Sequence, residues 1–310
     1  MKALRLFFAG LLVAGCGNWS NRDLDFVNAL PNREALKSRL PTSADKRLGD
    51  VQTRKDGLNV GDPSGAYATT KEAKATFNGL IDSVLGLVDS IRQYPPTTRT
   101  PEARVWGPFA DQNNPGFEFR LTVTQVDETK FSWALEAHKL GADYFSIVTG
   151  LFVPTQTLTE GQGSMVVHVS AFKNQLKVDA GLKSLERIDV KYVSDQFPNL
   201  VEMVFTFSDM NAAGLSSIGY RSRILADTSG ALQYRVTTPD NAKTTSVEYV
   251  SVWLPSGAGR AVGTVREGEY TGFSATECWD ESFHITYSVQ AWPGGLSTGS
   301  PSSCPNVPGF

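Results

Sequence analysis

Histidine is the side chain that most readily moves a proton or binds a metal near neutral pH, and the chain contains three: His138, His168 and His284. The HExxH pattern of zinc hydrolases does not occur. His138 shares its parity with Glu136, and His284 shares that of Thr286, so both are expected on the water-facing sides of strands. We interpret the histidines as surface residues and predict no catalytic residue and no metal site.

Two glycine-containing motifs could hold a nucleophile or a phosphate. The stretch 214–219 is one residue longer than the GxSxG elbow of hydrolases and lies between strand patterns. Gly257, Gly259 and Gly263 have a spacing similar to a dinucleotide-binding loop, but strand patterns flank them on both sides and no helix follows. We favour a hairpin turn there and expect no cofactor.

Two oxygen-rich stretches could hold calcium. They are Asp111 with Asn113 and Asn114, and Glu277 with Asp280 and Glu281. Neither has the spacing of a calcium-binding loop, so ordinary turns or a loop next to a disulfide are favoured. Because no acid, base and nucleophile occur together, the sequence favours a protein that is not an enzyme.

The N-terminus indicates a different chemistry. Two basic residues precede an apolar run of about nine residues, too short for a bilayer, which needs roughly 20. The run leads into Val13-Ala14-Gly15-Cys16, which resembles the bacterial lipobox. The resemblance implies that residues 1–15 are a signal peptide and that Cys16 is acylated. The alternative is an ordinary signal peptide with a chance cysteine.

An acylated cysteine implies a membrane as partner, because two or three acyl chains anchor a protein stably. The next residue is Gly17 rather than Asp, so the resemblance implies the outer membrane where the cell has one, with the folded part in the periplasm or at the cell surface. Cys278 and Cys304 then remain as an even pair in an oxidising compartment. They are expected to form a disulfide that holds the C-terminal tail.

The charge of the chain argues against nucleic acid as a partner. The formal net charge is −3, from 29 Lys and Arg against 32 Asp and Glu, and no basic run occurs. Phosphate contacts need a concentrated basic surface, which this composition does not supply.

Residues 16–67 are polar and contain several prolines and glycines, which predicts a tether with one short helix at 33–39. Four apolar residues in this stretch lie close together and could dock on the folded domain: Leu24, Phe26, Val27 and Leu30. The rest of the chain, 68–310, is predicted to form that domain.

Residues 69–93 carry the one strong helical pattern, with apolar residues at three- and four-residue spacing. Thr69 or Thr70 could cap the helix, and Tyr94-Pro95-Pro96 ends it. Its polar side lacks the Lys and Arg excess of membrane-surface helices. We therefore favour packing against a core.

From about residue 103 the apolar period changes to two. Alternating segments begin near Phe117, Phe131, Val201, Leu232 and Phe283, and turn residues separate about ten to twelve strands. One helix covers only a few strands, so the rest of the apolar face must be buried by the sheet curling on itself. The fold class predicted is mainly β (α+β), with one long helix and a curved, mainly antiparallel meander or incomplete barrel.

A helix followed by a curved antiparallel meander on a lipidated chain resembles the lipoprotein-carrier fold of the LolA and LolB families, in architecture alone. Four strings are similar to those of uncharacterised lipoproteins of myxobacteria: DLDFVNALPNREAL, VWGPF, GAGRA and ECWDESF. This second resemblance spans most of the chain and carries no known activity. It supports the envelope location and leaves the function open.

Two functions from different classes remain open. The first is a structural or interaction protein that presents its water-facing β surface to a partner protein in the envelope. The second is a carrier that holds a lipid or other hydrophobic ligand in an apolar cavity. Large inward residues such as Phe119, Trp133, Phe205 and Tyr287 favour a filled interior. We predict the first function and retain the carrier as the alternative.

Overall fold

The computed structural model describes residues 19–41, 59–112, 114–176, 184–194, 196–207, 217–240 and 243–307. Two compact units divide the chain. The first comprises Met1–Leu36, Leu80–Gln196 and Met203–Asp209, and the second comprises Lys37–Gly79, Phe197–Glu202 and Met210–Phe310. The chain is mainly antiparallel β with one long helix, as the change of apolar period predicts.

The described helices are α1 Asn21–Asn28, α2 Arg33–Leu36, α3 Gly65–Ile91 and α4 Val169–Leu176, with a 3₁₀ turn at Pro301–Ser303. The long helix α3 begins four residues earlier than the apolar pattern predicts. Its first turn is capped by Ser64, whose hydroxyl accepts from Tyr67 N at 3.0 Å. Thr70 does not cap the helix, because it lies inside it and donates to Ala66 O.

The described strands number 15, more than the ten to twelve predicted, partly because very short strands lie at both ends. They are β1 Thr98–Arg99, β2 Ala103–Ala110, β3 Phe117–Asp127, β4 Lys130–Lys139, β5 Phe145–Pro154, β6 Gly161–His168, β7 Leu185–Ser194, β8 Asn199–Phe207, β9 Ser217–Ile224, β10 Gly230–Asp240, β11 Lys243–Trp253, β12 Gly259–Glu267, β13 Ser274–Trp279, β14 Ile285–Ala291 and β15 Ser297–Gly299. Hydrogen-bonded neighbours follow the order of the chain.

The predicted alternation is confirmed in most strands and is wrong in β14. Phe119, Trp133 and Phe205 are at most 4% exposed. Ile285 and Tyr287, however, do not share a face. A β-bulge makes Ile285 pair with Trp279 and Tyr287 pair with the preceding residue, Cys278, so their side chains point to opposite sides.

The apolar stripe of α3 packs into the core, as predicted. Five of its members are at most 3% exposed: Phe77, Ile81, Leu85, Val88 and Ile91. Among the residues that the structure describes, no helix has the length and apolar character needed to cross a membrane.

The first half of the predicted tether is docked rather than extended. In the first unit, Phe26, Leu30 and Leu36 are buried, and the Phe26 ring meets the edge of Phe131 at 5.7 Å between centroids. Leu24, also predicted to dock, is 47% exposed. The short helix predicted at 33–39 is α2, whereas α1 was not predicted. Residues 42–58 lie outside the described part.

In the sheets of both units, aromatic side chains pack closely over glycines on the neighbouring strand. Gly150 pairs with Trp133 and Gly163 with Tyr192 in the first unit, and the second unit repeats the arrangement with Gly230 opposite Trp253. In each pair the aromatic ring lies across the glycine, where a Cβ atom would overlap it. These positions therefore need glycine for close approach rather than for backbone freedom.

Gly150→Ala is expected to lower the free energy of unfolding by about 1–3 kcal/mol, since the Trp133 indole must move out of a packed position. Gly263→Ala is the matched control. Gly263 also faces an aromatic residue, Tyr249, but a Cβ there would meet it at 3.9 Å, an ordinary contact. Urea unfolding of both variants measures the difference, and an equal loss would show that the Trp133 contact is not the cause.

Candidate functional site

The predicted disulfide between Cys278 and Cys304 is confirmed. Their Cα atoms are 5.3 Å apart, and the sulfur atoms are bonded. The predicted acylation site, Cys16, lies outside the described residues.

The disulfide holds the C-terminal tail against the sheet of the second unit. Val307, three residues after Cys304, is buried in a cluster with Ala231 and Val252. These two residues pair across β10 and β11. The tail therefore covers apolar side chains of this sheet that would otherwise face water.

A shallow depression of about 370 Å³ lies on the first unit, on the side of β3 to β6 opposite the buried residues. We call it the hydroxyl depression. Two cross-strand rows line it: Thr122, Ala134, Thr149 and Val166, and then Thr124, Ser132, Leu151 and Ser164. It exists because small side chains occupy the centre of the rows, with Ala134 between Thr122 and Thr149.

The hydroxyl depression is uncharged, and charges lie on both sides of it. Lys191 of β7 pairs with Ser164 on one side. On the next row of β3 and β4, Arg120 donates to Glu136 at 2.7 Å. Leu151, which lines the hydroxyl depression, is 40% exposed. An uncharged patch with exposed apolar groups and a charged rim is the arrangement typical of protein interfaces.

A cluster of charged and aromatic residues extends the rim at the end of β4. His138 Nε2 lies 3.2 Å from Glu118 Oε2, and its ring stacks on Tyr144 at 4.1 Å. The Arg120 guanidinium lies 3.6 Å from the centre of the Tyr144 ring. His138 thus shares the side of β4 with Glu136, as its parity predicts, but its side chain is only 14% exposed. Its ring is held by Glu118, Tyr144 and the Ala142 carbonyl.

His168 lies beside the hydroxyl depression, where its Nε2 is 3.1 Å from Thr149 Oγ1. Burial lowers the pKa of His168, and Arg187 lowers it further, against a smaller opposing effect of Asp189. The ring is therefore neutral at pH 7, with one nitrogen that donates and one that accepts a hydrogen bond. Within the described ranges, no three His, Cys, Asp or Glu residues are grouped closely enough for a metal ion.

The second unit carries an open apolar groove of about 400 Å³, which we call the aromatic groove. Its main lining residues are Val247, Val265, Tyr270, Phe273, Ala275 and Trp292. The Tyr270 and Phe273 rings are 5.4 Å apart, and the Phe273 and Trp292 rings are stacked at 6.1 Å. Such a surface can hold an apolar chain or ring.

The aromatic groove is the uncovered end of the face on which α3 packs. Thr70 Oγ1 of α3 lies 2.7 Å from Ser251 Oγ of β11. Tyr249 and Val247, two and four residues before Ser251, lie on the same face of the sheet. Tyr249 is half-buried and Val247 is 39% exposed. The helix covers one end of these strands only, so the apolar side chains beyond it remain accessible.

The carboxylates considered for calcium serve the fold. Glu277 Oε1 accepts from Ser64 Oγ at 2.6 Å and from Ala66 N at 2.8 Å, so it caps α3. Asp280 accepts from Ser282 N and His284 N within a turn. Gly257, with φ +97°, lies in the hairpin predicted between β11 and β12.

The other predicted turn residues are only partly described. Asp111 accepts from Asn114 Nδ2 at 2.7 Å, which is a turn contact, whereas Asn113 lies outside the described residues. Of the stretch 214–219, residues 214–216 are also outside, and β9 begins at Ser217. Neither place gathers catalytic groups among its described residues.

Comparison with protein-family models, curated proteins and solved structures gives no match. The two surfaces are therefore interpreted from their own chemistry. Neither could be located from the sequence alone, since both depend on which small or aromatic residues become cross-strand neighbours.

Proposed function

We propose that the chain is a lipid-anchored protein of the cell envelope, non-enzymatic, which binds another envelope protein at the hydroxyl depression. The lipobox-like tetrad ending at Cys16 supports the anchor. The bonded pair Cys278 and Cys304 supports an oxidising compartment. The membrane is then the partner of the anchor, and a protein is the partner of the sheet.

The observation that carries the interaction role is the distribution of charge on the first unit. Eight uncharged residues fill two adjacent rows of four strands, and Lys191, Arg120 and Glu136 lie at the periphery. Protein interfaces have depleted charge at their centre and a polar rim. The serine and threonine hydroxyls can replace water by hydrogen bonds to a partner backbone.

A carrier function is the second candidate, and the aromatic groove favours it. The groove has a volume in the range of small-ligand sites and an almost wholly apolar lining. It is open rather than enclosed, and large inward residues such as Trp253 and Trp279 are fully buried in packed positions. We therefore place the interaction role first and a hydrophobic ligand second.

Two alanine-to-arginine variants separate the functions, because each blocks one surface only. Ala134→Arg fills the hydroxyl depression, and Ala275→Arg fills the aromatic groove. With a photo-crosslinking residue at Thr149 in cells, Ala134→Arg is expected to reduce the crosslinked partner at least about tenfold, which corresponds to about 1.4 kcal/mol. Ala275→Arg is expected to leave that product unchanged and to reduce binding of a hydrophobic dye to the purified protein.

The opposite pattern would reverse the order of the two candidates. An unchanged crosslink in the Ala134→Arg variant would rule out the hydroxyl depression as the binding surface. A lipid that copurifies with the protein and is lost on Ala275→Arg would make the carrier the first choice. Circular dichroism of both variants confirms that each remains folded.

A further inference from the structure

The start of the first unit is fixed by a buried carboxylate. Asp23 of α1 is fully buried, and it accepts from Arg104 Nε of β2 at 2.5 Å and from Arg99 Nε of β1 at 3.1 Å. Arg104 is itself 4% exposed, and its guanidinium lies 4.4 Å above the Phe26 ring. These contacts join α1 to two strands, so the chain is held from its first described turn onward.

The first turn of α1 is also closed locally. Asp23 N donates to Ser20 Oγ, and Ser20 N donates back to Asp23 Oδ2 at 2.9 Å, which is a capping box. Burial raises the pKa of Asp23, but the hydrogen bonds from Ser20, Arg104 and Arg99 together outweigh it and hold the pKa at about 2. The carboxylate is therefore charged, and the ion pairs are complete, at any physiological pH.

Docking of α1 shortens the distance between the lipid anchor and the folded protein. Only Gly17 and Asn18 separate Cys16 from Trp19. Even a fully extended chain spans at most about 3.6 Å per residue, so Ser20 lies within about 14 Å of the Cα atom of Cys16. The predicted tether 16–67 would have allowed the domain to stand far from a membrane, and the docked helix does not.

The surface beside this short connection is apolar. Trp19, just before α1, is 39% exposed, and Leu24 of α1 is 47% exposed, whereas Phe26, Leu30 and Leu36 nearby are buried. Tryptophan is favoured at the boundary between lipid tails and water, and leucine is favoured just below it. Burying these two side chains in lipid removes apolar surface from water.

We propose that Trp19, just before α1, and the exposed Leu24 of α1 form a membrane-contacting surface that rests in the lipid interface next to the acylated Cys16. This inference rests on the proposed anchor. The occupant is a lipid surface, because a chain of four residues brings this side of the first unit to the bilayer whenever Cys16 carries its acyl chains. The contact fixes one orientation of the first unit on the membrane.

A spin label tests the contact in the full-length, lipidated protein reconstituted in vesicles of phosphatidylethanolamine and phosphatidylglycerol. Leu24→Cys is labelled with a nitroxide, and Leu140→Cys is the matched control. Leu140 is 61% exposed and follows β4, at the opposite end of that strand from Phe131, which contacts α1. The strand of ten residues separates these ends by about 30 Å.

For each label, the ratio of its accessibility to oxygen over its accessibility to a water-soluble nickel chelate is measured. This ratio is expected to be several-fold higher at position 24 than at position 140. Fatty acid on Cys16 is measured by mass spectrometry on the same samples. If Cys16 is acylated and the two labels are equally accessible to nickel, the proposed membrane contact is wrong, but the lipid anchor is retained. If Cys16 carries no fatty acid, the proposed anchor fails and the inference fails with it.

Discussion

Asp23→Ala is expected to lower the free energy of unfolding by about 3–5 kcal/mol, since it leaves the Arg104 guanidinium buried without a carboxylate. The variant also loses the capping box at Ser20. Asp25→Ala is the matched control, because Asp25 lies on the same helix, is only half-buried and is outside the Asp23 ion pairs. It is expected to change stability by less than about 0.5 kcal/mol.

Chemical denaturation followed by tryptophan fluorescence measures both variants, and limited proteolysis near Arg22 reports whether α1 has detached. A loss as small as that of Asp25→Ala would show that the ion pairs do not hold the helix. The membrane-contacting surface would then lose its rigid support, whatever the state of Cys16.

The same carboxylate gives a defined pH dependence. The pKa of Asp23 is about 2 in the folded protein against 3.8 for an ordinary aspartate. Its contribution to the free energy of unfolding is therefore fully present above about pH 4. It is lost as the pH falls towards 2. Asp127 and Asp227 also have lowered pKa values, from hydrogen bonds of Thr129 and Ser229, so the comparison must be made with Asp23→Asn. The stability difference between wild type and that variant is expected to shrink between pH 4 and pH 2.

Removing the disulfide is the second large effect expected. The bond joins residues 26 apart, and the chain-entropy relation gives about 3.5 kcal/mol for a loop of that length. A variant with Cys278→Ser and Cys304→Ser is also expected to release the tail that covers Ala231 and Val252. Increased binding of a hydrophobic dye to the second unit should accompany the loss.

Wild-type protein unfolded in the presence of a reducing agent is the control for the serine substitutions, and it should show the same loss of stability. A change below about 1 kcal/mol in both measurements would mean that the tail is held by Val307 packing alone. Alkylation of free thiols before and after reduction confirms the redox state of each sample.

The sequence predicted the fold class because alternation of apolar residues is a local signal with a fixed period. Strands around Phe119, Trp133 and Phe205 follow it directly. The prediction that Tyr287 points inward was wrong because one extra residue in a β-bulge reverses the parity. The bulge is a property of the pairing between β13 and β14.

The docked helix α1 shows a different limit. Its eight residues carry too short an apolar pattern to stand out from a polar segment, and its stability depends on Arg99 and Arg104, which lie more than 70 positions away. The one local signal was Ser20 followed three residues later by Asp23, a capping pattern that can be read from sequence. The partners of Asp23 could be found only from the fold.

The candidate surfaces were the least predictable part. The alternation around Phe131 and Trp133 predicts that Ala134 faces water, but the depression depends on the pairing of β4 with β5, which brings Thr149 beside Ala134. Likewise, Phe273 and Trp292 become stacked neighbours because β13 pairs with β14, with Ser274 opposite Ala291. Spacing along the chain carries no information on such contacts.

Mass spectrometry of the mature protein purified from cell membranes tests the central claim most directly. A chain that begins at Cys16, lacks residues 1–15 and carries two or three acyl chains is the result expected, and Cys16→Ala should abolish both cleavage and acylation. A mature protein that begins at another residue, or one whose Cys16 is unmodified, would contradict the lipid anchor and the function built on it.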